Sequence, residues 1–173
     1  DQPRSRGLGD VYKRQEVFRA TGPASASVAR VKVGAKRDGT ITAAQAWVAY
    51  EAGAFAGAPY MPGAMAIFAP YELENFLVET FDVLVNKPKV AAYRAPGAPQ
   101  SMHAFECALD EIAQLIDMDP IDLRLHNAAD EGTQASYGPK FPPIGFKACL
   151  QAAKDHPNYQ APVPELSLIH ISE

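Results

Sequence analysis

Cysteine, histidine and long hydrophobic runs are all scarce in this sequence. The 173 residues include two cysteines, four histidines and one tryptophan. Two cysteines cannot form a disulfide framework. Because Cys107 and Cys149 both fall in helical patterns, we interpret them as reduced core residues of a cytoplasmic protein. No apolar run approaches the length of a membrane span, so no transmembrane helix is expected.

Basic residues do not cluster, and the net charge of −4 is weakly acidic. A nucleic-acid-binding surface needs a basic patch, so neither DNA nor RNA is expected as a partner. The phosphate-binding loop of nucleotide hydrolases and the G-x-S-x-G motif of serine hydrolases are also absent.

Candidate metal ligands are few. His103, Glu106 and Cys107 share one face of a predicted helix, at i, i+3 and i, i+4 spacing. A structural zinc site needs about four ligands, and nothing nearby supplies the others. We therefore predict no metal ion bound by side chains, and we interpret the group as a surface hydrogen-bonding cluster.

Both ends of the chain differ from its middle. Residues 1–15 and 166–173 resemble translated sequencing adaptors from metagenomic assemblies. The first stretch has no apolar segment after its basic residues, so a signal peptide is not expected. We expect non-native tails at 1–15 and 166–173 around a partial domain at 16–165. The composition of the chain, 47% hydrophobic and 21% charged, is typical of a globular protein with one core.

Alternating patterns predict three strands in the first half. Apolar and charged residues alternate at 29–36, and Asp38-Gly39 follows as a hairpin turn, because both residues tolerate positive φ. The return strand is predicted at 40–51. A loop rich in small residues, with a helical turn at 63–68, leads to a third strand at 75–85.

Helical patterns dominate the second half. A long helix is predicted after Ser101, and Asp119-Pro120 predicts the start of a second one, since aspartate caps free amides and proline suits the first helical position. A third helix follows Pro143, with these residues facing inward: Ile144, Phe146, Cys149, Leu150 and Ala153. This order predicts an α+β fold of antiparallel strands followed by packed helices.

The stretch from Val90 to Ile116 joins a strand end to the long helix through the loop APGAP. Its prolines fix φ, Gly97 permits a turn or a close approach, and Arg94 stands at the mouth of the turn. The apolar stripe of the helix is predicted from residues at helical spacing: Met102, Phe105, Leu109, Ile112 and Ile116. A cation beside the start of a helix suits an anionic ligand.

The string AYRAPGAPQSMHAFECALDEIA, followed by MDPIDLRLHNA, closely resembles the molybdopterin-binding large subunit of the xanthine dehydrogenase and aldehyde oxidase family. The family pattern is A-[FY]-R-G/A-x-G-x-P-Q, then a helix with E-x-x-x-[DS]-E, then P-x-x-[LV]-R-x-x-N. The matching residues are Ala92, Tyr93, Arg94, Gly97, Pro99, Gln100, Glu106, Asp110, Glu111, Pro120, Leu123, Arg124 and Asn127. The resemblance extends more loosely over residues 16–155.

This resemblance implies that the chain is part of a molybdopterin-binding domain. Arg94 is then expected to contact the molybdenum–pterin cofactor through its guanidinium and its backbone amide, with Tyr93, Ala95 and Gly97 beside it. Guanidinium suits this task because it stays charged and donates in a fixed fork. The alternative is a loop arginine paired with a carboxylate such as Glu79.

Departures from the family narrow the expected substrate. Purine-oxidising members carry a phenylalanine where this chain has Pro96, and an arginine where residues 60–70 contain none. Members that oxidise carbon monoxide hold copper through a cysteine where this chain has Ala95. The resemblance therefore implies an aldehyde or an aromatic or N-heterocyclic substrate, with Pro96 at the substrate position.

The family reaction is hydroxylation with water as the oxygen source. Its general-base glutamate and a glycine-rich cofactor loop have no counterparts here, so the resemblance implies no catalytic residue on this chain and no activity of the chain alone. It implies molybdenum–molybdopterin, with the cytosine dinucleotide as one form that the cofactor can take. It also implies [2Fe–2S] and FAD on partner subunits or domains, and a hetero-oligomer when the subunit is full length. The alternatives are an interaction or assembly module of the same fold that has lost the cofactor, and a piece without stable structure.

Overall fold

The computed structural model describes residues 22–161, so the predicted tails at 1–15 and 166–173 lie outside the described residues. The described part forms three strands and five helices in a mixed order. They are β1 Ser27–Ala35, β2 Ile41–Gly53, α1 Tyr60–Ala66, β3 Phe76–Leu84, α2 Ala98–Ile116, α3 Pro120–Asn127, α4 Phe146–Lys154 and α5 Pro157–Gln160. The predicted α+β class is confirmed.

The predicted hairpin of β1 and β2 is confirmed. The two strands pair antiparallel, with Arg30 opposite Trp47. The turn closes through hydrogen bonds from the Gly39 amide to the Lys36 carbonyl, at 3.0 Å, and from the Lys36 amide to the Thr40 carbonyl, at 2.9 Å. The Arg30 guanidinium lies 5.2 Å from the centroid of the Trp47 ring, close enough for a cation–π contact across the strands.

The prediction of an antiparallel sheet is wrong for β3. This strand lies next to β2 in the order β1-β2-β3 and runs parallel to it, with Ala46 opposite Val78. Parallel neighbours need a crossover of about a dozen residues or more, which residues 54–75 supply. The crossover contains α1, so the helical turn predicted at 63–68 begins earlier, at Tyr60, and one helix precedes the last strand.

The core lies between one face of the sheet and α2. In β2 every second side chain from Ala44 to Ala52 is buried, as expected of a strand with one covered face. The buried row of α2 differs in part from the predicted stripe, because Met102, Ile112 and Ile116 are only partly buried. Four residues at i, i+4 spacing face the core directly: Ser101, Phe105, Leu109 and Ala113.

Two predictions about burial are wrong. Cys107 and Cys149 are exposed and form no disulfide. The third predicted helix begins at Phe146, after Pro143, and it packs at the surface with Ala153 exposed. A helix that touches its neighbours along one narrow edge buries few side chains, and a helical pattern alone does not show how wide that edge is.

Among the described residues, the apolar content and length of every helix fall short of what a membrane crossing requires.

Candidate functional site

The loop that carries Arg94 leaves the core at Val90. The buried Val90 donates its amide to the Ala52 carbonyl at 3.1 Å, and the Ala91 amide donates to the Pro23 carbonyl at 3.0 Å. The chain then runs exposed from Ala91 to Ala95 and is buried again at Gly97. The loop is thus an exposed arch fixed at both ends.

Arg94 lies at the exposed part of this arch. Within residues 22–161 its side chain forms no salt bridge and no hydrogen bond, so the alternative pairing with Glu79 is not formed. In the same part of the chain, the backbone amides of Arg94 and Ala95 donate to no backbone acceptor. The arch therefore carries an exposed cation and, beside it, two backbone amides without a backbone acceptor among the described residues.

Ala95 has a φ of 57°, in the left-handed region. A residue with a Cβ is uncommon there and costs about 1 kcal/mol or more. Backbone strain of this kind often accompanies a binding site, because the surrounding structure must hold it. The strained residue lies directly between Arg94 and Pro96, whose side chain is partly buried.

The far end of the arch is fixed at Gly97, which has a φ of 82°. The hydroxyl of Tyr50 donates to the Gly97 carbonyl at 2.9 Å. A Cβ on Gly97 would overlap the carbonyl oxygen of Pro59, and a Cβ on Gly63 would overlap the Tyr50 hydroxyl. The hydroxyl of Ser101 lies 2.9 Å from the Gly63 carbonyl, so β2, α1 and α2 all meet at this point.

The Tyr50 phenol is a protonated donor at neutral pH. Burial raises the pKa of Tyr50, the adjacent Ser101 side chain acts in the opposite direction, and the nearby phenol of Tyr93 raises it. The Tyr93 side chain itself is 46% exposed. Tyr93 therefore stands on the outer surface of the arch and does not contribute to the core.

Gln100 lies in the first turn of α2. Its Nε2 donates to the Ser25 carbonyl at 3.2 Å, while its Oε1 is buried and has no partner among the described residues. The 19-residue helix α2 begins at Ala98 without a side-chain cap. In its first turn the Ala98 amide donates to the Ala95 carbonyl and Pro99 has no amide proton, so the Gln100 amide is the one left without a backbone acceptor among the described residues. A helix start and an arginine together favour a negatively charged ligand.

The acidic residues of the motif have a structural role. Glu106 accepts from the Tyr71 hydroxyl at 2.7 Å and from Arg124 Nε at 2.8 Å, and Arg124 Nη1 lies 2.8 Å from Asp110. Burial alone would lower the pKa of Arg124, but its bonds to Asp110 and Glu106 outweigh burial and raise it. Glu106 and Asp110 are therefore ion-pair partners of Arg124.

Asn127, the last residue of the motif, also has a structural role. Its buried side chain accepts from the Ile41 amide at 2.9 Å and donates to the carbonyls of Gly39, at 2.9 Å, and Leu123, at 2.8 Å. It therefore holds the hairpin turn against the end of α3.

His103 and Cys107 do not extend the site. The Cys107 sulfur lies 3.8 Å from the His103 ring nitrogens, at the surface. Glu106 is turned toward Tyr71 and Arg124, away from this pair. Across residues 22–161, no three side chains of His, Cys, Asp or Glu are grouped as metal ligands.

Sequence reasoning missed the residues that hold the arch. Tyr50 is one of several apolar residues in a buried strand, and Gly63 is one of several glycines in a loop, so neither has a local signal. Ser101 could have been found, because a polar residue occupies the core-facing position that precedes Phe105 by one helical turn.

This chain resembles known proteins over most of its length. The molybdopterin cofactor-binding domain family matches residues 9–128. The aldehyde oxidoreductase of Megalodesulfovibrio gigas is 33% identical over 153 residues, which are 87% of this chain and 17% of that protein. The nicotinate dehydrogenase large molybdopterin subunit of Eubacterium barkeri is 32% identical over 112 residues, 62% of this chain and 26% of that protein.

A solved structure shows the same fold. The aldehyde oxidoreductase from Desulfovibrio gigas superposes with a TM-score of 0.75 and 30% identity, covering 86% of this chain and 16% of that one. The chain therefore spans about a sixth of the length of this relative. The family match, the sequence identity and the common fold together show that this chain belongs to the molybdopterin cofactor-binding domain family, in the group of the xanthine dehydrogenase and aldehyde oxidase large subunits.

Proposed function

We propose that the arch from Tyr93 to Gly97 contacts the molybdenum–molybdopterin cofactor of a molybdenum hydroxylase. The observation that carries this proposal is Arg94, an exposed cation with no ionic partner among the described residues, in a chain of the cofactor-binding family. Tyr93, Ala95 and Gly97 complete the proposed cofactor contacts. None of the residues of this chain is proposed as catalytic.

The donor set fits the cofactor. A pyranopterin dithiolene with its phosphate is anionic and rich in acceptors. The arch offers a guanidinium, the free amides of Arg94 and Ala95, and the nearby start of α2. No carboxylate of the described residues pairs with Arg94 and neutralises it. When bound, the molybdenum centre supplies the two-electron oxidation, and this chain's residues hold and orient it.

The proposed substrate is an aldehyde or an aromatic or N-heterocyclic compound. Pro96 is proposed to contact it. Two relatives support this range, since their names specify an aldehyde oxidoreductase and a nicotinate dehydrogenase. Pro96 offers a small apolar surface without a hydrogen-bond donor. Residues 60–70 contain no arginine that could pair with a charged heterocycle.

The proposed complete enzyme also includes a [2Fe–2S] centre and FAD, on other subunits of a hetero-oligomer or on other domains. The dinucleotide form of the cofactor is proposed to be the cytosine form. A cytoplasmic location is supported by the two cysteines, both of which are unpaired. The chain alone is proposed to be inactive, since it covers a small part of its relatives.

The test measures bound molybdenum and pterin in the longer protein expressed with its partner subunits. Arg94→Ala is expected to weaken cofactor retention by about tenfold or more, because a charge-assisted hydrogen bond contributes about 1.5–3 kcal/mol. Arg37→Ala is the matched control, since Arg37 is an exposed loop arginine outside the arch. The Arg37→Ala variant should retain as much molybdenum and pterin as the wild type.

Two results would contradict the proposal. A folded wild-type protein without molybdenum would support the interaction module instead. Equal retention in Arg94→Ala and Arg37→Ala would remove Arg94 from the cofactor site.

A further inference from the structure

We propose that Tyr50 and Ser101 are positioning residues that fix the arch in the conformation that receives the cofactor. We call Tyr50, Gly63, Gly97 and Ser101 the Gly97 clamp. This inference rests on the proposed function of the arch and adds the residues that preorganise it. Neither hydroxyl is itself proposed to touch the cofactor.

The first contact of the clamp joins the sheet to the arch. Tyr50 lies in β2 and is fully buried, and its hydroxyl donates to the Gly97 carbonyl at 2.9 Å across 47 positions of sequence. Strand β2 is the central strand of the described sheet and pairs on both sides. The hydroxyl therefore ties the end of the arch to the most constrained strand of the described fold.

The second contact joins α1 to α2. The Gly97 carbonyl accepts from the Tyr50 hydroxyl and from the Ser101 amide, at 3.3 Å, so both of its lone pairs are engaged. The Ser101 hydroxyl lies within hydrogen-bond distance of three carbonyl oxygens, those of Gly63 at 2.9 Å, Gly97 at 3.2 Å and Ala98 at 3.2 Å, and Gly63 is the nearest. The Gly63 carbonyl also accepts from the Ile67 amide at 3.2 Å, so the fully buried Ser101 hydroxyl adds a second bond that ties α2 to α1.

Close backbone approach makes these contacts possible. The Tyr50 hydroxyl fills the place where a Cβ of Gly63 would stand, and the Pro59 carbonyl fills the corresponding place at Gly97. Larger residues at either glycine would push the arch away from the sheet. The two glycines and the two hydroxyls thus form one set of contacts, and the absence of a Cβ at Gly63 makes room for the Tyr50 hydroxyl.

The clamp holds Gly97, which lies three residues after Arg94. At the other end, the arch is held by the amides of Val90 and Ala91. Between the two ends, the amides of Arg94 and Ala95 have no backbone acceptor in the described chain, and Ala95 holds a strained φ. Without the clamp the strain at Ala95 can relax, and the donors then leave the geometry that a rigid ligand requires.

Tyr50→Phe is the most direct test of the clamp, because it removes the hydroxyl that binds the Gly97 carbonyl and keeps the aromatic ring. Tyr71→Phe is its matched control. Tyr71 is also buried, at 2% exposure, and its hydroxyl makes one strong hydrogen bond, to Glu106 rather than to the arch. Both variants are made in the longer protein with its partner subunits, and Ser101→Ala is the second variant.

Two readouts separate positioning from general stability. Amide hydrogen exchange at Ala98 and Ser101, whose amides donate to the Ala95 and Gly97 carbonyls, is measured in protein without cofactor. It is expected to rise about five- to tenfold in Tyr50→Phe, which corresponds to the loss of one hydrogen bond. Molybdenum and pterin retention should fall in Tyr50→Phe and Ser101→Ala. Tyr71→Phe should leave both readouts at the wild-type level, even where it lowers the melting temperature.

The inference is overturned if exchange at Ala98 and Ser101 is unchanged in Tyr50→Phe, or if Tyr71→Phe raises it equally. A wild-type protein that binds no molybdenum but shows the clamp effect on exchange would instead overturn the proposed function. The two failures are therefore distinguishable.

Discussion

At the residue scale, Asp119 caps the first turn of α3. Its Oδ1 accepts from the amides of Ile121, at 2.8 Å, and Asp122, at 3.0 Å, and its Oδ2 accepts from the Tyr159 hydroxyl at 2.9 Å. Burial raises the pKa of Asp119, but the hydrogen bonds outweigh it and the net pKa is lowered. Pro120 follows at the first helical position, as the sequence predicts.

We predict that Asp119→Ala lowers the free energy of unfolding by about 1 kcal/mol at neutral pH, the usual contribution of a helix cap. Because the folded pKa is lowered, this contribution is complete above the unfolded pKa of about 3.9 and is lost as the pH falls through the folded value. Urea unfolding at neutral and acidic pH measures the difference. Glu111→Gln, which removes an exposed carboxylate of α2, should show neither effect. If the difference in free energy of unfolding between wild type and Asp119→Ala grew at acidic pH, that result would contradict the prediction.

At the element scale, α2 and α3 are joined by Arg124. Its guanidinium contacts the carboxylates of Glu106 and Asp110, and it also donates to the carbonyls of Pro120, at 3.0 Å, and Glu106, at 3.2 Å. The Arg124 side chain is only 14% exposed. Burial and the adjacent Glu106 raise the pKa of Tyr71, so its hydroxyl stays a donor to this group.

We predict that Arg124→Met lowers the free energy of unfolding by about 2 kcal/mol. Removing one partner of a buried pair costs about 3–5 kcal/mol, and the value here is smaller because Asp110 is half exposed. Lys147→Met is the control. It removes an ion pair of similar length, 2.9 Å to Asp130, whose two side chains are 46% and 56% exposed.

Denaturant unfolding of both variants provides the comparison, and the control should lose less than about 0.5 kcal/mol. Equal losses in the two variants would show that burial does not strengthen the contact between α2 and α3.

At the scale of the whole molecule, the sheet exposes apolar side chains along β3. Within the described residues this strand pairs only with β2, so its second edge is open. Leu77 is 50% exposed and Leu84 is 61% exposed, and aromatic side chains lie beside them. An open, apolar strand edge is a common site of self-association.

We predict that this chain self-associates in solution and that Leu77→Lys shifts it toward the monomer, because a charge on an edge strand disfavours pairing. Light scattering across a concentration series measures the association. Leu115→Lys is the control, since Leu115 is 84% exposed on α2, away from the sheet. A monomeric wild type, or an equal effect of the two lysines, would be evidence against association through β3.

The sequence by itself determined the elements whose signals are local. The hairpin turn at Asp38-Gly39, the cap at Asp119 and the alternation of β2 all depend on residues within a few positions of one another, and the structure confirms them. The cofactor family was also predictable, because fixed residues from Ala92 to Asn127 form one specific pattern. The roles of Tyr93, Arg94, Ala95, Pro96 and Gly97 in binding stay predictions.

Only the tertiary structure decided the direction of β3, the exposure of the cysteines and the Gly97 clamp. An alternating pattern is the same for parallel and antiparallel strands, and a helical pattern does not show how much of the helix its neighbours cover. The bond from Tyr50 to Gly97 joins residues 47 positions apart. Contacts of this kind depend on how the crossover brings α1 and α2 against β2, so they leave no local mark in the chain.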